Sequence, residues 1–309
     1  MKNVYYYIKE SLLDDEDEVF DGAKESIIKT FLEENYNIDG SYTIKEIKHK
    51  FIVDVKGNIR VKNKDITSFT NELFEFGSIG GKFDCYYCEF LKSLEGAPEK
   101  VGGDFDCSCC KSLTSLKGAP KEVGGKFDCG FCKLLKTFEG APKEVRGNFV
   151  CEYCEKLTSL KGAPKEVERG FDCSGTSISS LKGAPKKCSH FNCSYCDKLT
   201  SLEGAPNECG DFYCGYCNSL ISLEGGPKKI TGDYECYYCD SLKTLKGAPK
   251  EVERFDCSNC KSLTSLEGAP KCTVIAAYNC GKSYGKDDII KYTGATYKMT
   301  RSGSRVKLN

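Results

Sequence analysis

The stretch FDCSNCKSLTSLEGAP, residues 255–270, decides how the chain is read. Variants of it recur with first cysteines at Cys85, Cys107, Cys129, Cys151, Cys173, Cys193, Cys214, Cys236 and Cys257, at intervals of 20 to 22 residues. Self-similarity at a fixed period is the mark of a repeat architecture and is weighed before local structure. The unit is F-x-C-x-x-C-x-x-L-x-x-L-x-G-A-P-x-x-V, and eight copies keep the C-x-x-C pair. All nine prolines of the chain fall in its Gly-Ala-Pro turn, written Gly-Gly-Pro at Gly225–Pro227. Glycine tolerates positive φ and proline fixes φ while lacking an N–H, so each unit turns a corner at the same place. One unit of this size cannot bury its own apolar side, whereas stacked units can.

Composition bounds the rest. The 309 residues hold 45 basic and 45 acidic side chains, so no global charge favours nucleic acid or a membrane surface. No apolar run approaches the roughly 20 residues needed to cross a bilayer. The opening MKNVYYYIKESLLDDEDE lacks the apolar core of a secretory signal, so a classical secretory route is not expected. The 22 cysteines are therefore expected to meet a reducing cytosol as thiols.

Leu113, Leu116, Phe127, Cys129 and Cys132 follow the order of the strand segment of leucine-rich repeats, and the array resembles that family from Ile59 to Cys280. Phe-x-Cys replaces Leu-x-Leu, and most units carry one extra residue after the second Cys. The resemblance implies a leucine-rich-repeat-like solenoid of about ten coils of 20–22 residues, with one parallel β-sheet and short turns on the other side. Residues 1–13 read as a flexible segment, 14–58 as a small α+β cap, 59–280 as the solenoid and 281–309 as a C-terminal cap with a basic tail. In the first cap, apolar residues at helical spacing indicate a helix from about Asp14 to Asn35, followed by strands at YTIKEI and KFIVDV. KDDIIKY indicates a short second helix, and the tail with Lys298, Arg301, Arg305 and Lys307 is expected to be solvated.

The cysteines admit three readings. Cys85, Cys88, Cys107 and Cys110 match zinc-ribbon spacing, and neighbouring strands are close enough for disulfides. Against metal, Cys188 and Cys209 stand where other units have Val, Val61 stands for a first Cys, and Thr176 stands for a second. A lost ligand spoils a four-thiolate site, but a lost rung in a packed ladder does not. Packing as small buried hydrophobes is the favoured reading, with no cofactor expected.

With Phe and the first Cys inward, the residue between them faces out. That row includes Asp84, Asp106, Asp128, Asp172, Tyr213, Glu235 and Asp256. Two places beyond the first Cys stand Tyr87, Phe131, Tyr153, Tyr195, Tyr216 and Tyr238. An acidic stripe beside an aromatic stripe on a concave sheet face suits a basic protein partner, since aromatic residues anchor interfaces. Duplication of a unit copies its surface residues in any case. His49 and His190 stand without a triad, and the thiols lack a general base, so no enzyme is expected.

MKNVYYYIKE resembles the capsid-targeting peptides of large tailed bacteriophages, and the SLEGAPKEVGG arrays resemble repeat proteins of such phages. The resemblance implies processing after Glu10, with Ile8 as the aliphatic determinant and Ser11 as the new first residue, and a place in the host cytoplasm or packaged in the phage head. The expected function is a non-catalytic scaffold that binds a host or virion protein. A glycan-binding face and a structural zinc array are the alternatives, with membrane and nucleic acid not expected as partners.

Overall fold

The computed structural model describes residues 21–308. It is a β-solenoid of about eleven coils with a small helix-containing cap in front. The core repeats because its strands pair in parallel and in register. Ile59, Phe83, Phe105, Phe127, Phe149, Phe171, Phe191, Phe212, Tyr234, Phe255 and Ile275 sit opposite one another along one ladder. Successive phenylalanine rings from Phe83 to Phe212 stack with centroids 5.3–5.5 Å apart. The two leucines of each unit stack beside them, as at Leu113 and Leu116 or Leu199 and Leu202, all fully buried. Each such side chain contributes roughly 1.5–3 kcal/mol when removed from water, and only the neighbouring coils provide that burial.

The structure adds a second ladder to the single sheet expected. Lys100–Val101, Glu122–Val123, Glu144–Val145 and Glu166–Val167 form their own parallel sheet beside the main one. The number of residues between this Val and the next Phe controls the division. Three residues, as in Gly102-Gly103-Asp104, turn a corner and split the strand in two. Two residues, as in Ser189-His190 or Glu253-Arg254, leave one continuous strand, Lys187–Asn192 or Glu251–Asp256. The glycines at the corners lie against each other, and a Cβ on Gly124 would sit 2.1 Å from the Gly102 carbonyl oxygen. In the Gly-Ala-Pro turn, Gly118 has φ +86, and a Cβ there would meet the Glu95 backbone at 2.3 Å. Positive φ and close approach both require glycine at that corner.

Both open ends of the main sheet are closed by antiparallel strands. In front, the helix Asp21–Asn35 leads into Tyr36–Asp39, which pairs with Asn58–Val61. Strands Tyr42–Ile47 and Lys50–Val55 form a hairpin that begins the second ladder. Residues 14–20 of the expected helix lie outside the described residues. At the other end, the helix Lys286–Thr293 is followed by Tyr297–Met299, which pairs in parallel with Lys271–Ala276 and antiparallel with Arg305–Lys307. The basic tail is thus a hairpin on the sheet edge and not a free segment, with Leu308 buried. The edges that remain are short strands carrying charge, Asp39 in front and Arg305 and Lys307 behind, which makes them poor templates for pairing with other chains.

One substitution inside the repeat carries its own compensation. Tyr234 takes the place of a core Phe, and its buried hydroxyl has no hydrogen-bond partner. The turn that precedes it is the one that reads Gly-Gly-Pro. A methyl group on Gly226 would lie 3.0 Å from the Leu223 carbonyl oxygen of the turn itself, 3.2 Å from Leu202 Cδ1 and 3.4 Å from that hydroxyl. The missing methyl leaves room for the extra oxygen. Gly226→Ala is therefore expected to destabilise the protein by about 1 kcal/mol through overpacking. In a Tyr234→Phe background the same change should be neutral or stabilising. Urea unfolding of the double-mutant cycle measures the coupling, and additive effects would contradict the pairing.

Candidate binding face

The backbone turns at each C-x-x-C, and the turn determines what faces outward. The residue before the second Cys is in the left-handed region in every coil. This holds for Tyr87 (φ 62), Cys109 (59), Phe131 (57), Tyr153 (51), Gly175 (65), Tyr195 (60), Tyr216 (57), Tyr238 (55) and Asn259 (59). Its N–H continues the ladder, as in Tyr195 N to Gly215 O at 2.9 Å. Its side chain is turned out of the core, so the aromatic row foreseen in the sequence stands on the surface. Tyr87, Phe131, Tyr153, Tyr195 and Tyr238 are exposed, and Tyr216 is half-buried. They form columns. Tyr195 and Tyr216 stack at 4.4 Å, Tyr216 and Tyr238 at 4.7 Å, and Phe131 and Tyr153 at 5.1 Å. Tyr237 abuts Tyr216 edge-on at 5.4 Å.

The acidic row is not the open stripe that the alternation suggests. Asp84 and Asp256 are buried, and Asp106, Asp128, Asp172, Tyr213 and Glu235 are half-buried. One oxygen of each aspartate caps the turn that follows. Asp106 Oδ1 accepts from the Ser108 N–H (3.1 Å) and hydroxyl (2.6 Å), and Asp172 and Asp256 do the same with Ser174 and Ser258. Asp128 caps Gly130, and Asp84 caps Tyr86. The second oxygen often meets a cation on the same face. Arg60 and Lys82 reach Asp84, Lys82 also reaches Asp106, Lys126 reaches Asp128, and Arg254 reaches Glu235 and Asp256. Burial pushes the Asp84 carboxyl up, but the Tyr86 amide, Lys82 and Arg60 outweigh it and hold the group below the usual range. Burial pushes the Tyr213 phenol up to about 12, with Asp211 and Glu235 adding to it.

The thiols are arranged as donors to the coil stack. The second Cys of a unit donates to the carbonyl of the first Cys one coil back, as in Cys132 Sγ to Cys107 O and Cys217 Sγ to Cys193 O, both 3.2 Å. The first Cys donates forward, as in Cys151 Sγ to Asp172 O at 3.2 Å. Thr176 supplies a hydroxyl in place of a thiol and donates to Cys173 O at 2.7 Å. Cys188, Cys209 and also Cys272 lie buried in the valine row. Burial pushes thiols such as Cys129 and Cys151 well above their ordinary value, which keeps them protonated. Among the described residues no three His, Cys, Asp or Glu side chains converge as metal ligands.

His190 lies apart from the aromatic row, in a groove of about 1210 Å³ with Lys187, Glu208, Asp211 and Lys229. A cleft of about 430 Å³ at the far end of the tyrosine column gathers Glu235, Tyr237, Tyr238, Arg254, Asn259 and Arg301. Sequence reading missed Lys82, Lys126, Arg254 and Tyr237. The first three stand two residues before an aspartate of the acidic row, and period-two alternation puts them on the same face. Ile8, Glu10 and Ser11 lie outside the described residues.

An aromatic side chain at positive φ costs about 1–2 kcal/mol, and Asn is favoured there. Asn259 shows that the coil accepts it. Tyr87→Asn is therefore expected to leave stability unchanged or raise it by up to about 1 kcal/mol. A thermal melt checks this, and a loss of more than about 1 kcal/mol would show that the ring supports the fold. No protein family matches the chain, and no curated protein or solved structure is significantly similar to it.

Proposed function

We propose that the protein is a non-catalytic scaffold that binds a protein partner through the aromatic face of its sheet. The observation that carries this reading is the backbone conformation under the aromatic row. Tyr or Phe stands in the left-handed region in six coils, from Tyr87 to Tyr238, although Gly175 and Asn259 fit the same turn more cheaply. Duplication explains identical copies but not the retention of a locally unfavourable one. Ring stacking offsets part of the cost, by about 0.5–1.5 kcal/mol per pair. Exposed, pre-ordered aromatic rings are the residue type that anchors interfaces. The phage-like N-terminus makes a host or virion protein in the host cytoplasm the partner class to test first.

A second reading, glycan binding, is favoured by the cleft at Tyr238. There, rings of Tyr237, Tyr238 and Tyr278 meet the carboxylates of Glu235 and Asp256 and the amides of Asn259 and Asn279. Flat apolar faces beside planar polar groups suit a sugar ring.

The test is a combined Tyr195→Ala, Tyr216→Ala and Tyr238→Ala variant in pull-downs from the natural host. It is expected to fold normally and to lose the partner, since truncating one anchoring aromatic can cost about 2 kcal/mol or more. Lys228 and Lys229 substitutions, on the turn side, should leave capture intact. Normal capture by the tyrosine variant together with failure of the lysine variant would move the working surface to the turn side.

A further inference from the structure

The aromatic row is interrupted at Cys109 and at Gly175, and of the two only Gly175 leaves its rung without a side chain. On one side Phe131 and Tyr153 stack, and on the other Tyr195, Tyr216 and Tyr238 stack. Gly175 has the same left-handed backbone as its neighbours, with φ +65, and no side chain to fill its rung. Tyr153 and Tyr195 therefore belong to coils two strand spacings apart, roughly 9.6 Å. A flat group between two rings needs about 7 Å, one van der Waals contact on each face. Tyr153 leans into the opening, since a Cβ on Gly175 would lie 2.6 Å from its Cδ1. Its stack with Phe131 is correspondingly tilted by 20°, against 4–9° in the other column.

The charge pattern changes at the same place. Asp84, Asp106 and Asp128 are matched by Arg60, Lys82 and Lys126, while Glu235 and Asp256 are matched by Arg254. Between these groups stand Glu152, adjacent to Tyr153, and Asp172, three residues before Gly175. Asp172 Oδ2 receives only the Asn192 amide, and Glu152, half-buried beside Asp172 and Asp128, has no ion pair among the described residues. A gap of one ring in the column thus coincides with a pair of carboxylates that form no ion pair among the described residues, Lys126 acting on Glu152 only from its pairing with Asp128.

We propose that this gap is a slot for an arginine side chain of the partner, held between the Tyr153 and Tyr195 rings over Gly175, with Glu152 and Asp172 providing the counter-charge. The proposal rests on the aromatic face being the binding surface and names what that surface selects. A guanidinium is flat, always charged, and stacks on aromatic faces, whereas a lysine ammonium is a compact, strongly hydrated point charge. The same carboxylates repel a phosphate backbone, so a nucleobase is disfavoured in the slot.

Binding of labelled oligo-arginine, oligo-lysine and oligothymidylate of equal length, at physiological salt, tests the slot on the full chain by fluorescence anisotropy. The arginine peptide is expected to bind at least about ten-fold tighter than the lysine peptide. Gly175→Tyr fills the slot with a ring at a φ that other coils accept, displacing the Tyr153 ring that leans over Gly175, and Tyr195→Ala removes one wall. Each is expected to reduce arginine binding to the lysine level with an unchanged circular dichroism spectrum. Equal affinity for the two peptides, no detectable arginine binding, tighter binding of oligothymidylate, or full arginine preference in both variants would overturn the proposal. A natural partner captured equally by the wild type and by Gly175→Tyr would reject the slot and leave the aromatic-face reading standing. Capture unaffected by the triple tyrosine variant would reject that reading itself.

Discussion

The structure depends on one arc of backbone, F-x-C-x-x-C, whose N–H groups reach the next coil. In the coil starting at Phe105, the N–H groups of Phe105, Cys107 and Cys109 donate to Lys126 O, Asp128 O and Gly130 O at 2.8–2.9 Å. The N–H between them, at Ser108, is taken by Asp106. The sharp turn that follows directs the carbonyl of the first Cys inward, where it needs a donor. A buried acceptor left alone costs about 1–3 kcal/mol. The thiol from the next coil, such as Cys132 Sγ on Cys107 O, supplies that donor without adding bulk. Cysteine combines the volume of a small hydrophobe with a weak S–H donor. Thr176, which lacks a thiol, turns its hydroxyl to the Cys173 carbonyl of its own coil, where Cys196 Sγ also donates from the next coil.

The binding face follows from that arc. Because the turn needs a left-handed residue before the second Cys, its side chain is expelled from the core in every coil, and whatever stands there lines up at strand spacing. The geometry of the row belongs to the fold. The choice of Tyr and Phe within it does not, since Gly175 and Asn259 satisfy the same turn. The aspartates are likewise divided. One oxygen closes the turn and belongs to folding, and only the second is available to a neighbouring cation or to a partner.

Much of the architecture was legible in the sequence. The period, the invariant Gly-x-Pro corner and the placement of Phe, Leu and Cys were enough to stack the coils, because a 20–22-residue unit has one way to bury those positions. The valine row with Cys188 and Cys209 was enough to read cysteine as an apolar side chain. Three features were hidden. The second ladder depends on whether two or three residues separate Val from Phe, a difference that looks like loop variation. The caps on the aspartates depend on a turn at Ser108 or Ser174 whose φ cannot be read from alternation alone. The C-terminal hairpin uses Tyr297–Met299 and Arg305–Lys307, short polar strands stabilised by the sheet edge and not by their own pattern.

The central claim is that the buried cysteines are protonated thiols bonded to carbonyls of neighbouring coils. Infrared spectroscopy of the S–H stretch reads this directly on the intact protein purified under reducing conditions. The account expects a strong, red-shifted S–H band that is unchanged by chelator and collapses to the solvent-exposed position on unfolding. Absence of the band in the folded protein, with its appearance only after chelation or reduction, would mean that the sulfurs are thiolates on metal or are joined as disulfides, and would contradict the account.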